Sequence, residues 1–249
     1  MTIQNTYFTR FQHACDTVIL GEKAKEGIGT LGEKTLHAVL KNYYEPQKAK
    51  QEIKIGNYYA DIFNEKGIIE IQTTQFNKLR LKLAYFLKNH HVTIVYPIAY
   101  QKWIYWIDEL TGEISGGRRS PKKGKSYEVF KELYKIKNFL RHEGLHIHVI
   151  LVDLEEYRLL NGWSKDRKKG SHRSNRIPLV LQEELHIDAL TDYQKFLPEE
   201  LPKQFVCSDF AKAAEISLHL AQVSVNILLE VGVIKRVGKK GRAYLYEIA

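Results

Sequence analysis

The sequence predicts a mixed α/β domain followed by a small C-terminal unit of two helices and a hairpin. Three observations carry this reading. Helical and strand periodicities alternate over 31–98 in the order helix, three strands, helix, strand. The run at 91–98, HVTIVYPI, is continuously apolar, like a strand buried on both faces. A proline-rich, acidic stretch at 197–203, LPEELPK, then separates a segment of different pattern.

Residues 1–29 have a partly helical pattern and end in a glycine turn at Gly27 and Gly29. Leu36, Val39, Leu40 and Tyr43 repeat at helical spacing, which predicts an amphipathic helix over 31–44 that Pro46 stops. Strands are expected at 52–55, 58–63 and 68–73. Phe76, Leu79, Leu83, Phe86 and Leu87 restore helical period over 76–89. Strands at 91–98 and 103–107 follow, then a helix at 127–141 and a strand at 145–154. Two segments rich in glycine, serine and cations, 116–125 (GGRRSPKKGK) and 164–176 (SKDRKKGSHRSNR), read as solvated loops that order on phosphate. The expected division is a domain over 1–196, a linker over 197–204 and a second domain over 205–249.

The chain of 249 residues is long enough for one substantial domain and a small one. A formal charge of +9 favours a polyanionic partner, nucleic acid before an anionic membrane surface. Cys15 and Cys207 fit no metal spacing and read as reduced thiols in an intracellular, cytoplasmic protein. The N-terminus has no signal-peptide pattern, and no apolar run approaches the ~20 residues of a membrane helix.

The residues with bond-cutting chemistry lie in 58–74, YYADIFNEKGIIEIQTT. Strand alternation turns Glu70 and Gln72 to one face and Ile69 and Ile71 to the other. Asp61 shares a face with Tyr59 and Phe63. A two-residue loop at Glu65–Lys66 sets Asp61 opposite Glu70, and a four-residue loop pairs it with Gln72. A three-residue loop with Gly67 in a bulge sends Asp61 to the wrong face. If the face is shared, Asp61, Glu70 and the carbonyl of Ile71 can hold Mg²⁺ or Mn²⁺, and Gln72 can orient water or a phosphate oxygen. The alternative is two ordinary acids on the polar side of a hairpin.

This pattern resembles the PD-(D/E)xK superfamily, the restriction endonuclease-like nucleases. Their core is a helix, three antiparallel strands, a helix and a further strand. The resemblance assigns the family aspartate to Asp61 and the (D/E)xK triplet to Glu70, Ile71 and Gln72. It implies a further glutamate on the first core helix, here Glu33, although Thr30-Leu31-Gly32-Glu33 also fits a capping box. No proline precedes Asp61, and glutamine replaces the triplet lysine, so Lys54 or Lys78 is a candidate for the missing cation.

Other clusters carry less. His146 and His148 share a strand face with His142 nearby, but no third zinc ligand is evident, so ordinary histidines are the better reading. Trp103, Trp106, Tyr100 and Tyr105 could stack bases, but their alternation fits strand packing better. At the C-terminus, Ser208 is expected to cap a helix over 209–214. A turn at 215–217 leads to a helix over 218–231 with Leu220, Val223, Ile227 and Leu228 inward, ended by Gly232. Strands at 233–237 and 243–248 complete a unit that resembles a winged helix-turn-helix. That resemblance implies base contacts from His219, Gln222 and Asn226 and phosphate contacts from Lys239, Lys240 and Arg242. The basic loops would add Arg118, Arg119, Lys122, Lys123, Arg167, Lys168, Lys169 and Arg173. The expectation is a Mg²⁺- or Mn²⁺-dependent DNA endonuclease acting on duplex DNA, with an RNA nuclease as an alternative and homodimers implied by the family. The rival is a non-catalytic DNA-binding regulator on an inactive nuclease fold.

Overall fold

The structure is a computed structural model and describes residues 3–23, 35–161 and 172–249. Its architecture is α/β: a mixed seven-stranded sheet flanked by helices, and a separate three-stranded sheet. In chain order the elements are α1 (Ile3–Lys23), α2 (Thr35–Tyr44), β1 (Gln51–Ile55), β2 (Tyr58–Asn64), β3 (Gly67–Ile71), α3 (Arg80–Phe86), β4 (Val92–Ile107) and β5 (Ile114–Arg119). They continue with α4 (Phe130–Leu133), β6 (Leu145–Leu159), β7 (His172–Ile187), β8 (Gln204–Phe205), α5 (Cys207–Ala213), α6 (Leu218–Glu230), β9 (Ile234–Lys240) and β10 (Ala243–Ile248). The large sheet runs β1-β2-β3-β4-β6-β7 with β5 on β4, and the small one runs β8-β10-β9. Two compact units interleave along the chain: Met1–Asn64, Pro97–Lys125 and Ile150–Glu184 form the first, and Glu65–Tyr96, Ser126–Val149 and Leu185–Ala249 the second.

In the first unit α1 packs on α2 through Phe11 and Tyr43, whose rings meet edge to face at 5.5 Å. Leu36, Val39, Leu40 and Tyr43 are all buried, as their spacing predicts. Buried Asn175 binds the start of α2: Thr35 N–H donates to Asn175 Oδ1 at 3.1 Å, and Asn175 Nδ2 donates to Thr35 Oγ1 at 2.7 Å. Glu33, the Thr30 cap, Gly27 and Gly29 lie outside the described residues. β1 and β2 pair antiparallel in one unbroken register, Gln51↔Ile62 through Ile55↔Tyr58, with Glu52 at a positive φ of 53°. Ala60 and Ile62 are buried, which turns Tyr59, Asp61 and Phe63 to the other face of β2.

The expected strands 91–98 and 103–107 are one strand, β4. The polar residues between them do not break it because they are satisfied from elsewhere. Buried Gln101 donates its backbone N–H to Asp153 Oδ1 at 3.0 Å and its side-chain amide to the Ser120 carbonyl at 2.8 Å. The basic run at 116–125 is also a partial correction, because Gly116–Arg119 pair with β4 as β5. Gly116 (φ +111°) is required there, since a Cβ would fall 2.6 Å from the Trp106 ring and 2.9 Å from the Ile104 carbonyl. Of the run at 164–176, residues 172–176 open β7, and 164–171 lie outside the described residues. Pro178 sits within β7, the last strand in the sheet order, where a missing N–H is tolerated.

In the second unit β3 runs parallel to β4, with Ile68↔Val92 through Ile71↔Val95 in register. A parallel pair needs a crossover, and α3 supplies it. Gly67 (φ +105°) lets the chain approach His91, whose carbonyl accepts from Ile68 N–H at 2.9 Å. The helix expected over 76–89 opens as a 3-10 turn, Phe76–Leu79, before α3. The one expected over 127–141 breaks into 3-10 turns around α4, with a kink at Ile136 (φ −119°, ψ 23°). An aromatic core forms there: Phe130 and Phe196 are 4.7 Å apart, and Tyr127 meets Phe210 edge-on at 5.9 Å.

At the C-terminus Ser208 lies inside α5 and does not cap it; Asp209 Oδ2 accepts from Val206 N–H at 3.0 Å instead. Ser217 caps α6, its hydroxyl accepting from Leu220 N–H at 3.3 Å. α6 buries Leu220, Ala221, Ser224, Val225, Ile227 and Leu228, while Val223 is half-buried. β9 is longer than expected, β10 spans 243–248 as expected, and the two close on a two-residue turn, Gly241–Arg242. Among the described residues no helix is long and apolar enough to cross a membrane.

Candidate functional site

Asp61 and Glu70 each have a basic partner from a neighbouring helix. In the first unit His37 of α2 places Nε2 3.2 Å from Asp61 Oδ2, with side chains 20% and 18% exposed. In the second unit Glu70 is only 3% exposed, although it lies on a strand whose other face also buries Ile69 and Ile71. Lys82 of α3 places Nζ 2.6 Å from Glu70 Oε2, and its ammonium lies 5.6 Å from the Phe86 ring. A carboxylate this buried requires a cation or strong donors, and Lys82 meets that need.

β3 ends at Ile71, so Gln72 is the first residue beyond the strand. Its backbone N–H still bonds the Val95 carbonyl at 2.9 Å. Its side-chain amide donates to the Thr74 carbonyl, and Gln72 is half-buried. The turn between β2 and β3 is Glu65–Lys66, the two-residue loop among the three considered. Lys54 and Lys78 are both exposed, and Lys82 is the lysine that reaches Glu70. Sequence reasoning missed His37 and Lys82. His37 sits one helical turn before Leu40 and Lys41, and Lys82 sits between two leucines, so spacing alone marks neither as a partner.

The cationic candidates fall into two groups. In the first unit Arg118, Arg119, Lys122 and Lys123 are exposed, and Lys123 Nζ lies 5.1 Å from the Tyr100 ring. Arg173 instead joins Lys102 and Arg158 around buried Glu156, with Arg173 Nε 3.5 Å and Lys102 Nζ 3.3 Å from Glu156 Oε2. Burial pushes the Glu156 carboxyl up, but Lys102 and the two arginines outweigh it and hold it below the usual glutamate range. Burial lowers Lys102 against the pull of Glu156. Arg167, Lys168 and Lys169 lie outside the described residues.

In the second unit His219, Gln222 and Asn226 are exposed along one side of α6, and Lys239, Lys240 and Arg242 are exposed on the β9–β10 hairpin. Gln222, Asn226, Arg236, Arg242 and Tyr244 line a cleft of about 410 Å³. The Arg236 guanidinium lies 3.6 Å from the Tyr244 ring centre, a stacked cation that sequence reasoning also missed.

Among known proteins, the chain is similar to an "uncharacterized protein" of Treponema pallidum (strain Nichols), 27% identical over 226 residues, covering 88% of this chain and 86% of the relative. No solved structure matches it. A family model, "Domain of unknown function (DUF8091)", matches residues 34–188, which hold α2 through β7 and with them Asp61, Glu70 and Lys82. The chain therefore belongs to the DUF8091 family.

Proposed function

We propose that the chain is a metal-dependent endonuclease that hydrolyses phosphodiester bonds in DNA. The observation that carries this reading is Glu70, a nearly inaccessible carboxylate near the end of β3 with the Lys82 ammonium 2.6 Å away. A carboxylate with a lysine at the end of a buried strand is the charge pattern phosphodiester hydrolysis needs: an anchor for a cation and a positive group for the developing charge. The order α2, β1, β2, β3, α3, β4, with β3 parallel to β4, supports a restriction endonuclease-like core. The turn between β2 and β3 has the two residues, Glu65–Lys66, that the hairpin reading requires.

In this reading Asp61 in the first unit, and Glu70 with the Ile71 carbonyl in the second, are the oxygen donors that would suit Mg²⁺ or Mn²⁺. The chemistry a metal ion would supply there is a water of lowered pKa and neutralised charge at the phosphate. Lys82 would supply the positive charge that Gln72 cannot, with its ammonium beside Glu70 available to the scissile phosphate. His37 keeps Asp61 oriented. The C-terminal elements deliver the enzyme to duplex DNA as a winged helix. His219, Gln222 and Asn226 face base edges, and Lys239, Lys240 and Arg242 contact phosphates. Arg118, Arg119, Lys122 and Lys123 add a second phosphate-binding strip.

One observation favours a second reading, a non-catalytic DNA-binding regulator. The Gln72 amide is engaged by its own loop at Thr74 rather than held toward a substrate. Plasmid nicking with Mg²⁺ or Mn²⁺ separates the two. The nuclease reading expects cutting by the wild type and at least a hundredfold loss in Asp61→Ala and in Lys82→Met, the loss of one charge-stabilising group being worth about 10²–10³. DNA binding in EDTA with no cutting under either metal assigns the regulator. Competition between duplex DNA and structured RNA reports the substrate.

A further inference from the structure

β4, β6 and β7 bring three cations to one buried carboxylate in the first unit. The Glu156 side chain is 3% exposed, and Arg158 on the same strand donates to Oε1 through Nε at 2.7 Å and through a terminal amino group. Lys102 of β4 places Nζ 3.4 Å from Oε1 and 3.3 Å from Oε2. Arg173 of β7 places Nε 3.5 Å from the same Oε2. The adjacent acid, Glu155, is turned to the other face of the sheet, where the Tyr105 and Tyr157 hydroxyls donate to it at 3.2 and 2.8 Å. Among the described residues no other carboxylate pairs with Lys102, Arg158 or Arg173.

We propose that Lys102, Arg158 and Arg173 form a binding site for a phosphate dianion, either inorganic phosphate or the terminal phosphate of a phosphomonoester. The site rests on no part of the nuclease reading. Three cations less one carboxylate leave two positive charges at a partly enclosed place. A phosphomonoester carries about −1.5 to −2 at neutral pH, whereas each phosphate of a nucleic-acid backbone carries only about −1. The charge match therefore favours the monoester.

The distances show the shortfall of negative charge. A cation donating to a carboxylate settles at about 2.7–2.9 Å. Arg158 reaches that range, but Lys102 and Arg173 share one oxygen from 3.3 and 3.5 Å. Glu156 engages only Nε of Arg173, which leaves the two terminal amino groups to fork onto a phosphate. Burial lowers the Lys102 pKa, Glu156 opposes it, and Arg158 and Arg173 add to the lowering. A bound dianion offsets that repulsion. Lys102 and Arg158 are 24% and 19% exposed and Arg173 is 49% exposed, so the anion enters from the Arg173 side. Arg118 pairs with Ile104 across β4 and β5 and so adds an exposed cation on the Lys102 face of the sheet.

The test is calorimetric titration of the full chain with inorganic phosphate, in a phosphate-free buffer with EDTA so that no metal-dependent cutting contributes. It is paired with fluorescence anisotropy of one labelled single strand carrying either a 5′-phosphate or a 5′-hydroxyl. Saturable binding of phosphate, or tighter binding of the 5′-phosphate strand, is the expected result. Arg173→Ala, at an exposed position, and Lys102→Met should each weaken it by at least about tenfold, with unchanged circular dichroism. Lys88→Ala removes one exposed positive charge from the second unit and should leave it unchanged. A 5′-phosphate strand that binds at least about tenfold more tightly than its 5′-hydroxyl counterpart assigns a strand end as the source. Strands of equal affinity, with saturable inorganic phosphate, assign the free anion. Absence of both effects would overturn the proposal. So would binding that Arg173→Ala and Lys102→Met both leave unchanged, or binding that Lys88→Ala weakens as much as Arg173→Ala does.

Discussion

At the scale of single residues, the placement of charge separates functional candidates from structural ones. Glu70 and Lys82 form a short pair with the carboxylate almost wholly enclosed. Removing one member leaves the other without its partner, so Lys82→Met should destabilise the chain by about 3 kcal/mol, read from urea unfolding midpoints. Joint replacement by apolar residues should cost less, because both buried charges go together. Glu156 gives a pH signature. Its folded pKa lies below the unfolded value, so its contribution is complete above about pH 4.5 and is lost as pH falls through the folded pKa. The stability gap between wild type and Glu156→Gln should therefore be widest at neutral pH and shrink in acid, as unfolding curves at pH 7 and pH 3 will show. Cys15 is buried in α1, and burial pushes its thiol up to about 12. It should stay unmodified by a thiol reagent at pH 8 in the native protein and react at once in denaturant.

At the scale of elements, the sequence is most legible where a side-chain pattern acts alone. The β2 alternation, the α2 stripe and the inward face of α6 all come from period two or 3.6, and each is found where its apolar residues fall. Legibility fails where partners distant in sequence decide. β4 continues through Gln101 because Ser120 and Asp153 satisfy its polar groups. Residues of a basic run become β5 because the backbone of β4 offers an open ladder. The β9–β10 hairpin presents Lys239, Lys240 and Arg242 to solvent. If they meet phosphates, the triple alanine variant should lower the slope of log affinity against log salt by about 0.9 per lost contact. Fluorescence anisotropy with a labelled duplex at several salt concentrations will measure it, and an unchanged slope removes those residues from the interface.

At the scale of the whole molecule, the division into units does not follow chain order. The C-terminal elements cluster with Glu65–Tyr96 and Ser126–Val149. α6 packs on α4, and Lys137 pairs with Glu230 at 2.8 Å. The segment 205–249 expressed alone would expose the surface of α6 that meets α4. It should therefore be less stable and less soluble than in the full chain, by thermal melting of both.

The sequence by itself determined the α/β class, the order of elements around Asp61 and Glu70, the buried stripes and the cationic surface. These follow from residue type and short periods along the chain. Only the tertiary structure decided which cation stands beside Glu70 and that His146 and His148 meet Asp188. Those contacts join residues from 12 to 42 positions apart, and no local period encodes a distance closed by a crossover helix or a returning strand.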